Sequence, residues 1–272
     1  MKPIKPVNGQ SPIPVDQTRF IANIKKALGR PDFEHRRMED LIQTSPDSND
    51  LALMQTIQSR DRKMRLTLLD RMMEVAKTIN TKVAAAETKT QIAAAIAKIA
   101  IDSNAEWGDG KSIVAWDHPL VNGLDLPAAM QPLGVPVYFP ENDACSAGAK
   151  TFRKQSETAL MGITSADFGL AETATLTMKT RPGQPLHVSL LPSIHIAVIR
   201  LEQILSNLKE FYALLKWDPA QQAEGLTHSM SFITGPSKTA DIEATLVHGA
   251  HGPRELVIFV LKNETNETSY YV

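Results

Sequence analysis

Two acidic residues five positions apart, Asp167 and Glu172, stand in a segment whose other polar members are hydroxyls: Gly162-Ile-Thr-Ser-Ala-Asp-Phe-Gly-Leu-Ala-Glu-Thr-Ala-Thr175. A carboxylate held at a sheet edge can act as general base or as nucleophile. Thr164 and Thr173 would add hydrogen bonds to a ligand there. The plainer reading is an Asp turn followed by a Glu that accepts backbone N–H bonds, and spacing leaves both open. A second segment, Ile233-Thr-Gly-Pro-Ser-Lys-Thr-Ala-Asp-Ile-Glu243, reads as a strand end, a Gly-Pro-Ser turn and a helix start. Backbone N–H groups left free after Gly235, with Ser237 and Thr239 beside them and Lys238 adding charge, attract a carboxylate or phosphate. Ser237 or Thr239 would equally serve as a plain helix cap. Asp241 and Glu243 favour the positive end of that helix and compete with an incoming anion.

His248 and His251 stand three apart beside Gly249 and Gly252, in a run that continues to Arg254 and Glu255. His251 would supply a donor or a group titrating near neutral pH, although a His ending a helix also simply favours its dipole. His195 lies in an apolar strand run and reads as a hydrogen-bonded core residue. No His, Cys or acid spacing converges as metal ligands do, so no metal site is expected. Gly108-Asp-Gly-Lys-Ser112 matches the end of a phosphate-binding loop, but Ala105 fills the first glycine position and a strand follows. No Gly-x-Gly-x-x-Gly follows a strand, so there is no dinucleotide fingerprint.

These groups require a scaffold, and the chain alternates strand and helix patterns. Residues 1–15 are rich in proline and polar residues and read as disordered or loosely docked. A short helix is expected over Arg19–Leu28, then a polar linker over 31–50. Leu53, Ile57, Met64 and Leu68 predict one helix from about Leu51 to Met73. Strands are expected at Val75–Ala84, Lys111–Trp116, Val135–Phe139, Thr173–Lys179, His187–Arg200, Ser229–Thr234 and Glu255–Leu261. Helices are expected at Thr88–Asp102, 151–161, Leu201–Leu215 and Thr239–His248, with His118–Met130 helical or irregular. Arg181-Pro-Gly-Gln-Pro185 reads as the turn of a hairpin. The pattern is that of an α/β protein with a mixed, mostly parallel sheet covered by helices. Residues 1–50 form an N-terminal extension with one short helix, 51–262 the α/β domain and 263–272 a tail.

Composition excludes several classes. A net charge of −1 with interspersed signs gives no basic stripe for nucleic acid. No run approaches the ~20 apolar residues of a membrane span, and Met1-Lys-Pro-Ile-Lys-Pro6 lacks a signal peptide's apolar core. Cytoplasmic residence is therefore expected. Cys145 is the one cysteine, so neither a disulfide framework nor a protein-held cluster is expected on this chain.

Taken together, the 162–175 and 233–243 segments, Ser189-Leu-Leu-Pro-Ser-Ile-His-Ile-Ala-Val198 and Gly249-Ala-His-Gly-Pro-Arg-Glu255 resemble the lactate-utilisation protein C family, the LUD domain. Phe20-Ile-Ala-Asn-Ile-Lys-Lys-Ala-Leu-Gly-Arg-Pro31 is similar to that family's N-terminal helix. Ala174 stands where the family usually has Gly. The resemblance is dense over residues 160–261 and thin over 32–110. It implies a fold similar to coenzyme A transferases, ribose-phosphate isomerases and glucosamine-phosphate deaminases. It also implies a component of a system oxidising L-lactate to pyruvate, with iron–sulfur clusters carried by partner proteins and no cofactor on this chain.

Two other functions stay open. One is a stand-alone coenzyme A transferase- or sugar-phosphate isomerase-like enzyme on a small anionic substrate; the other is a non-catalytic adaptor. An oligomer is compatible with each. The candidate catalytic residues are Glu172 and His251. Substrate contacts are expected from Thr164, Asp167, Thr173, Gly235, Ser237, Lys238, Thr239, Asp241 and Arg254, gathered at strand carboxyl ends.

Overall fold

The computed structural model describes residues 15–27, 29, 45–104, 110–141, 147–225, 227, 229–240, 246–248 and 252–263. The chain divides into two units, Met1–Pro46 and Asp47–Val272. Within the first, helix α1 spans Val15–Ala27 and carries Lys25 and Lys26 in its last turn, where cations complement the helix dipole.

The second unit is built on six parallel strands. In chain order these are β1 (Lys82–Ala86), β2 (Ile113–Ala115), β3 (Val137–Tyr138), β4 (Met161–Ser165), β7 (Ile194–Arg200) and β12 (Glu255–Leu261), arranged β1-β12-β7-β4-β2-β3. Every pairing among them is parallel. A parallel sheet is covered on both faces, which is why Ile194–Ile199 and Leu256–Leu261 are continuously buried and, His195 apart, apolar. Ile194, Ile196, Val198, Val257, Phe259 and Leu261 face one core, shared with residues of α4 (Lys89–Asp102), α5 (Pro119–Asn122) and α6 (Leu126–Met130). Ala197, Ile199, Leu256, Ile258 and Val260 face the other, shared with α3 (Arg62–Thr78), α7 (Ala147–Thr158) and β6 (Thr175–Lys179).

A second, mixed sheet of four strands lies over that second face. Its order is β8-β5-β6-β9, with β5 at Phe168–Leu170, β8 at Ile204–Leu205 and β9 at Met230–Thr234. Phe168, Leu170 and Leu205 pack outward against α2 (Ser48–Gln58) and α8 (Leu208–Trp217), closing a third core. Helix α9 (Pro219–Glu224) follows, capped by the Asp218 side chain at the N–H of Gln221. Among the described residues no helix is long and apolar enough to cross a membrane.

Several expected elements differ, each for a local reason. The helix expected over Leu51–Met73 is two, because the Asp61 carboxylate accepts the Met64 N–H at 2.7 Å and starts a new helix there. That helix continues through Val75 to Thr78, so the strand expected from Val75 begins only at Lys82, after a turn with Asn80 at φ +59°. Leu201–Leu215 is likewise interrupted: a 3₁₀ turn and β8 precede α8, whose start is set by the Asn207 side chain.

The turn expected at Arg181–Pro185 forms, with Arg181 and Gln184 bridged across it, but it does not join two strands of one sheet as a hairpin. β6 belongs to the small sheet and β7 to the large one, and between them a 3₁₀ turn, Leu186–Ser189, crosses over β4. Gly162 makes that crossing possible, since a Cβ there would lie 1.8 Å from the Val188 carbonyl oxygen. The actual hairpin is β5–β6. Finally, where the range Thr239–His248 is described it is strand, not the expected helix: Lys238–Ala240 and Leu246–His248 form antiparallel strands β10 and β11. Thr239, Thr245 and Val247 are β-branched, a composition suited to strands.

Candidate functional site

Strand register places the carboxyl ends of β2, β4 and β7 at one edge of the large sheet. From β2 the chain departs over the first core face through α5 and α6; from β4 it departs over the second face into β5. Adjacent strands whose connections leave in opposite directions define a switch point, where open α/β sheets hold ligands. Asp117 and His118 follow β2, Asp167 follows β4, and Arg200 ends β7. Arg181, just past β6, reaches the same place.

Hydrogen bonds hold these groups in position. The Gln203 amide donates to the carbonyls of Ala166 (2.6 Å) and Asp167 (3.0 Å), while its oxygen accepts the Arg200 N–H at 2.7 Å. The ends of β4 and β7 are thereby tied together. The Asp117 N–H donates to the Gly183 carbonyl, and the Trp116 indole N–H donates to the Pro185 carbonyl, pinning the 181–185 loop to the end of β2. Asn122 donates to the Asp117 carboxylate at 2.8 Å.

Asp167 accepts from the Arg181 guanidinium at 2.5 Å and from the Lys179 N–H at 2.6 Å, one bond to each carboxylate oxygen. Arg181 and the Lys179 ammonium both donate to Glu224, and Lys179 also to Gln221. The Lys179 side chain is only 1% exposed, so these partners satisfy an ammonium that would otherwise be costly to bury. Burial opposes ionisation of Glu224, but the bonds from Arg181 and Lys179 outweigh it and hold its carboxyl below the ordinary range. Arg181 is held more firmly protonated, since the bonds to Asp167 and Glu224 overcome the opposing effect of burial.

His118 is the histidine at this edge. Burial first, then Arg200 and Arg181, lower its pKa to about 4, against the opposing pull of Asp167 and Asp117. The ring is therefore neutral at physiological pH.

The expected site residues divide differently. Thr164 is closed to solvent, and its hydroxyl pairs with His195 Nε2 at 2.8 Å. His195 is a core residue, as its apolar surroundings suggest, with burial lowering its pKa to about 3. Asp167 belongs to the carboxyl-edge crevice. Glu172 and Thr173 are exposed at the tip of the β5–β6 hairpin, at the opposite end of those strands from Asp167. There the Asn207 amide donates to Glu172 at 3.2 Å, and the hydroxyls of Thr173, Thr175 and Thr234 bond in series at 2.8 and 2.7 Å. Gly235 follows at φ +78°, close against the Ile79 carbonyl.

The Ser237 N–H donates to the Pro253 carbonyl, and the Arg254 N–H to the Ser193 carbonyl. Ser237, exposed Lys238 and exposed Arg254 thus lie by the amino ends of β7 and β12, across the sheet from Asp167 and Arg200. The Thr239 backbone is in β10, paired with Val247. Because β10 replaces the expected helix, Gly235–Thr239 does not form a helix-start anion cradle. Asp241 and His251 lie outside the described residues.

Asp117, His118, Arg181 and Arg200 were not singled out by residue spacing. The signal for two of them was available, since Asp117-His118 directly follows an apolar strand run in an α/β pattern. Among the described residues no three His, Cys, Asp or Glu side chains are grouped to hold a metal ion.

A family model described as the LUD domain matches residues 69–261. The chain is 32% identical over 164 residues to lactate utilization protein C of Halalkalibacterium halodurans, covering 60% of this chain and 68% of that one. It is 38% identical over 133 residues to the protein of that name in Bacillus velezensis, covering 48% and 52%. Uncharacterized protein YkgG of Escherichia coli is 26% identical over 246 residues, covering 90% and 97%. Among solved structures, a DUF162 family protein from Deinococcus radiodurans matches with a TM-score of 0.48 and 20% identity, over 72% of this chain and 98% of that chain.

Proposed function

The chain belongs to the LUD domain family, and we propose that it serves lactate utilisation by binding a short carboxylate in the carboxyl-edge crevice, within a cytoplasmic system that oxidises L-lactate to pyruvate. The observation that carries this reading is the gathering of Arg200, Arg181 and neutral His118 at the switch point of a parallel sheet. A guanidinium presents a fork of donors matched to a carboxylate. Relatives named lactate utilization protein C support the substrate class. With one cysteine in the sequence, the chain lacks the ligands for a thiolate-held cluster, which favours partners with iron–sulfur clusters as the carriers of electrons.

In the test, a deletion strain is grown on L-lactate as sole carbon source and complemented with tagged wild-type chain or with Arg200→Gln. Wild type should restore growth and co-purify iron–sulfur proteins, and the variant should fail to restore growth while still folding. Full growth of the uncomplemented deletion strain would overturn the reading.

A second reading places chemistry at Glu172. It is favoured by the left-handed backbone of Ala174, φ +48°, next to this exposed acid, because strained residues cluster at functional turns. In that case Glu172→Gln, rather than Arg200→Gln, abolishes growth.

A further inference from the structure

A cavity of about 320 Å³ opens between α2, α3, β8 and α8. It meets α9 at Asp218, Pro219 and Ala220, whereas Glu224, at the other end of that helix, reaches Arg181 of the crevice. Its volume stands at the small end of ligand pockets, which run from ~300 to ~1,000 Å³, so a ligand that fills it is small. Ile57, Ile204, Leu205 and Leu214, all buried, form its apolar wall.

The charged groups of the lining are unequally engaged. Arg60 is neutralised by Glu210, whose other oxygen accepts the Ser206 N–H at 2.8 Å. Asp218 is only 7% exposed, and one of its carboxylate oxygens accepts the Gln221 N–H at 3.0 Å. The second oxygen accepts from no described residue yet is not sealed from solvent; as Asp218 lines the cavity, that oxygen opens onto it. Half-buried Arg65 donates through Nε to the Arg60 carbonyl at 3.3 Å, and its terminal nitrogens bond no described residue. It pairs neither with Asp218 nor with Glu202, the exposed acid of the lining. A buried carboxylate oxygen without a donor is best met by an ammonium, and an open guanidinium fork by a carboxylate. With Arg60 neutralised, two acids stand against one guanidinium, which disfavours a simple anion such as lactate, whereas a zwitterion answers both signs.

We propose that this cavity binds a small α-amino acid with an apolar side chain, its ammonium on Asp218, its carboxylate on Arg65 and its side chain against Ile57, Ile204, Leu205 and Leu214. It is a second ligand site, and it stands or falls independently of carboxylate binding in the crevice.

The experiment is methyl NMR of the full chain labelled at isoleucine, with the Ile57 and Ile204 signals assigned through Ile57→Val and Ile204→Val. L-Leucine is titrated beside its two halves: 3-methylbutylamine, which lacks the carboxylate, and 4-methylpentanoate, which lacks the ammonium. L-Leucine should move both methyl signals and bind at least about tenfold more tightly than either half, as the loss of one charged hydrogen bond gives. Asp218→Asn keeps a cap for Gln221 but removes the charge, so leucine binding should weaken about tenfold while 4-methylpentanoate binds no worse. Arg65→Gln should weaken leucine to a similar degree and leave 3-methylbutylamine unchanged. Methyl signals that stay still at millimolar leucine, a half that binds as tightly as leucine, or undiminished leucine binding in both variants would overturn the inference. The comparison of leucine with its halves is made on the wild-type chain, so it decides the matter even if a variant unfolds.

Discussion

At the scale of single residues, Ala174 shows opposing contributions that nearly cancel. It is fully buried, in the left-handed region at φ +48°, where the resemblance to LUD proteins leads one to expect Gly. Leaving that region would relieve roughly 1–2 kcal/mol for an L-residue. Replacing Ala with Gly, however, loosens the unfolded chain by about 0.4–1 kcal/mol and removes a buried methyl worth about 0.8 kcal/mol. Ala174→Gly should therefore shift stability by no more than about 0.8 kcal/mol in either direction in urea titration, despite removing the strain. A stabilisation well above that would mean that the methyl contributes little to packing. The same turn holds Glu172, so a near-neutral Gly variant also provides a check on whether the acid depends on this backbone.

At the scale of elements, Gly162 governs how β4 and the Leu186–Ser189 turn can approach. Gly162→Ala would drive a methyl into the Val188 carbonyl, a backbone atom with little freedom to retreat. We expect a loss of at least about 3 kcal/mol, read as a lower urea midpoint, at the upper end of overpacking costs. An unchanged midpoint would show that the turn lifts away easily. Much of this scaffold was legible in the residues: Glu255–Leu261 was readable because a buried run is bounded by Pro253 and Asn263, and Thr88 marks the start of α4 as its cap. Thr239–His248 was misread because the Gly-Pro-Ser turn followed by Asp241 and Glu243 suggested a helix start, whereas the polar-apolar alternation from Thr239 to Leu246 is the pattern of a strand. The crevice was less legible still. Asp167 was visible among hydroxyls, but His118 and Arg200 come together only once β2, β4 and β7 are known to be neighbours, and that order is a property of the sheet.

At the scale of the whole molecule, stability should depend on pH in one direction. His195 and His118 have folded pKa values of about 3 and about 4, below the ordinary 6.5, and His187 is also lowered, chiefly by burial. Between those values and 6.5 the unfolded chain binds more protons than the folded one, so stability is full above 6.5 and falls on acidification. Glu224, held below its ordinary value of 4.5, adds to the loss at lower pH. His195 alone should cost about 2 kcal/mol between pH 6.5 and 5, at about 1.4 kcal/mol per pH unit. Urea titrations across that interval measure the slope, and a flat profile would mean that the buried ring gains its proton without penalty.

Strand order also sets the timing of assembly. Among the described residues β1 pairs with β12 alone, and the chain must be extended from Ala86 to Glu255 before that neighbour exists. At about 5–20 residues per second a ribosome takes roughly 10–30 s to supply it. β7, β4 and β2 can pair during that interval, but β1 stays an open edge flanked by α3 and α4, and the slot between β1 and β7 stays empty. The nascent chain thus carries an unpaired Lys82–Ala86 and an uncovered Ile194–Arg200 edge until β12 threads between them. A helper that binds nascent strands would meet both edges in that interval.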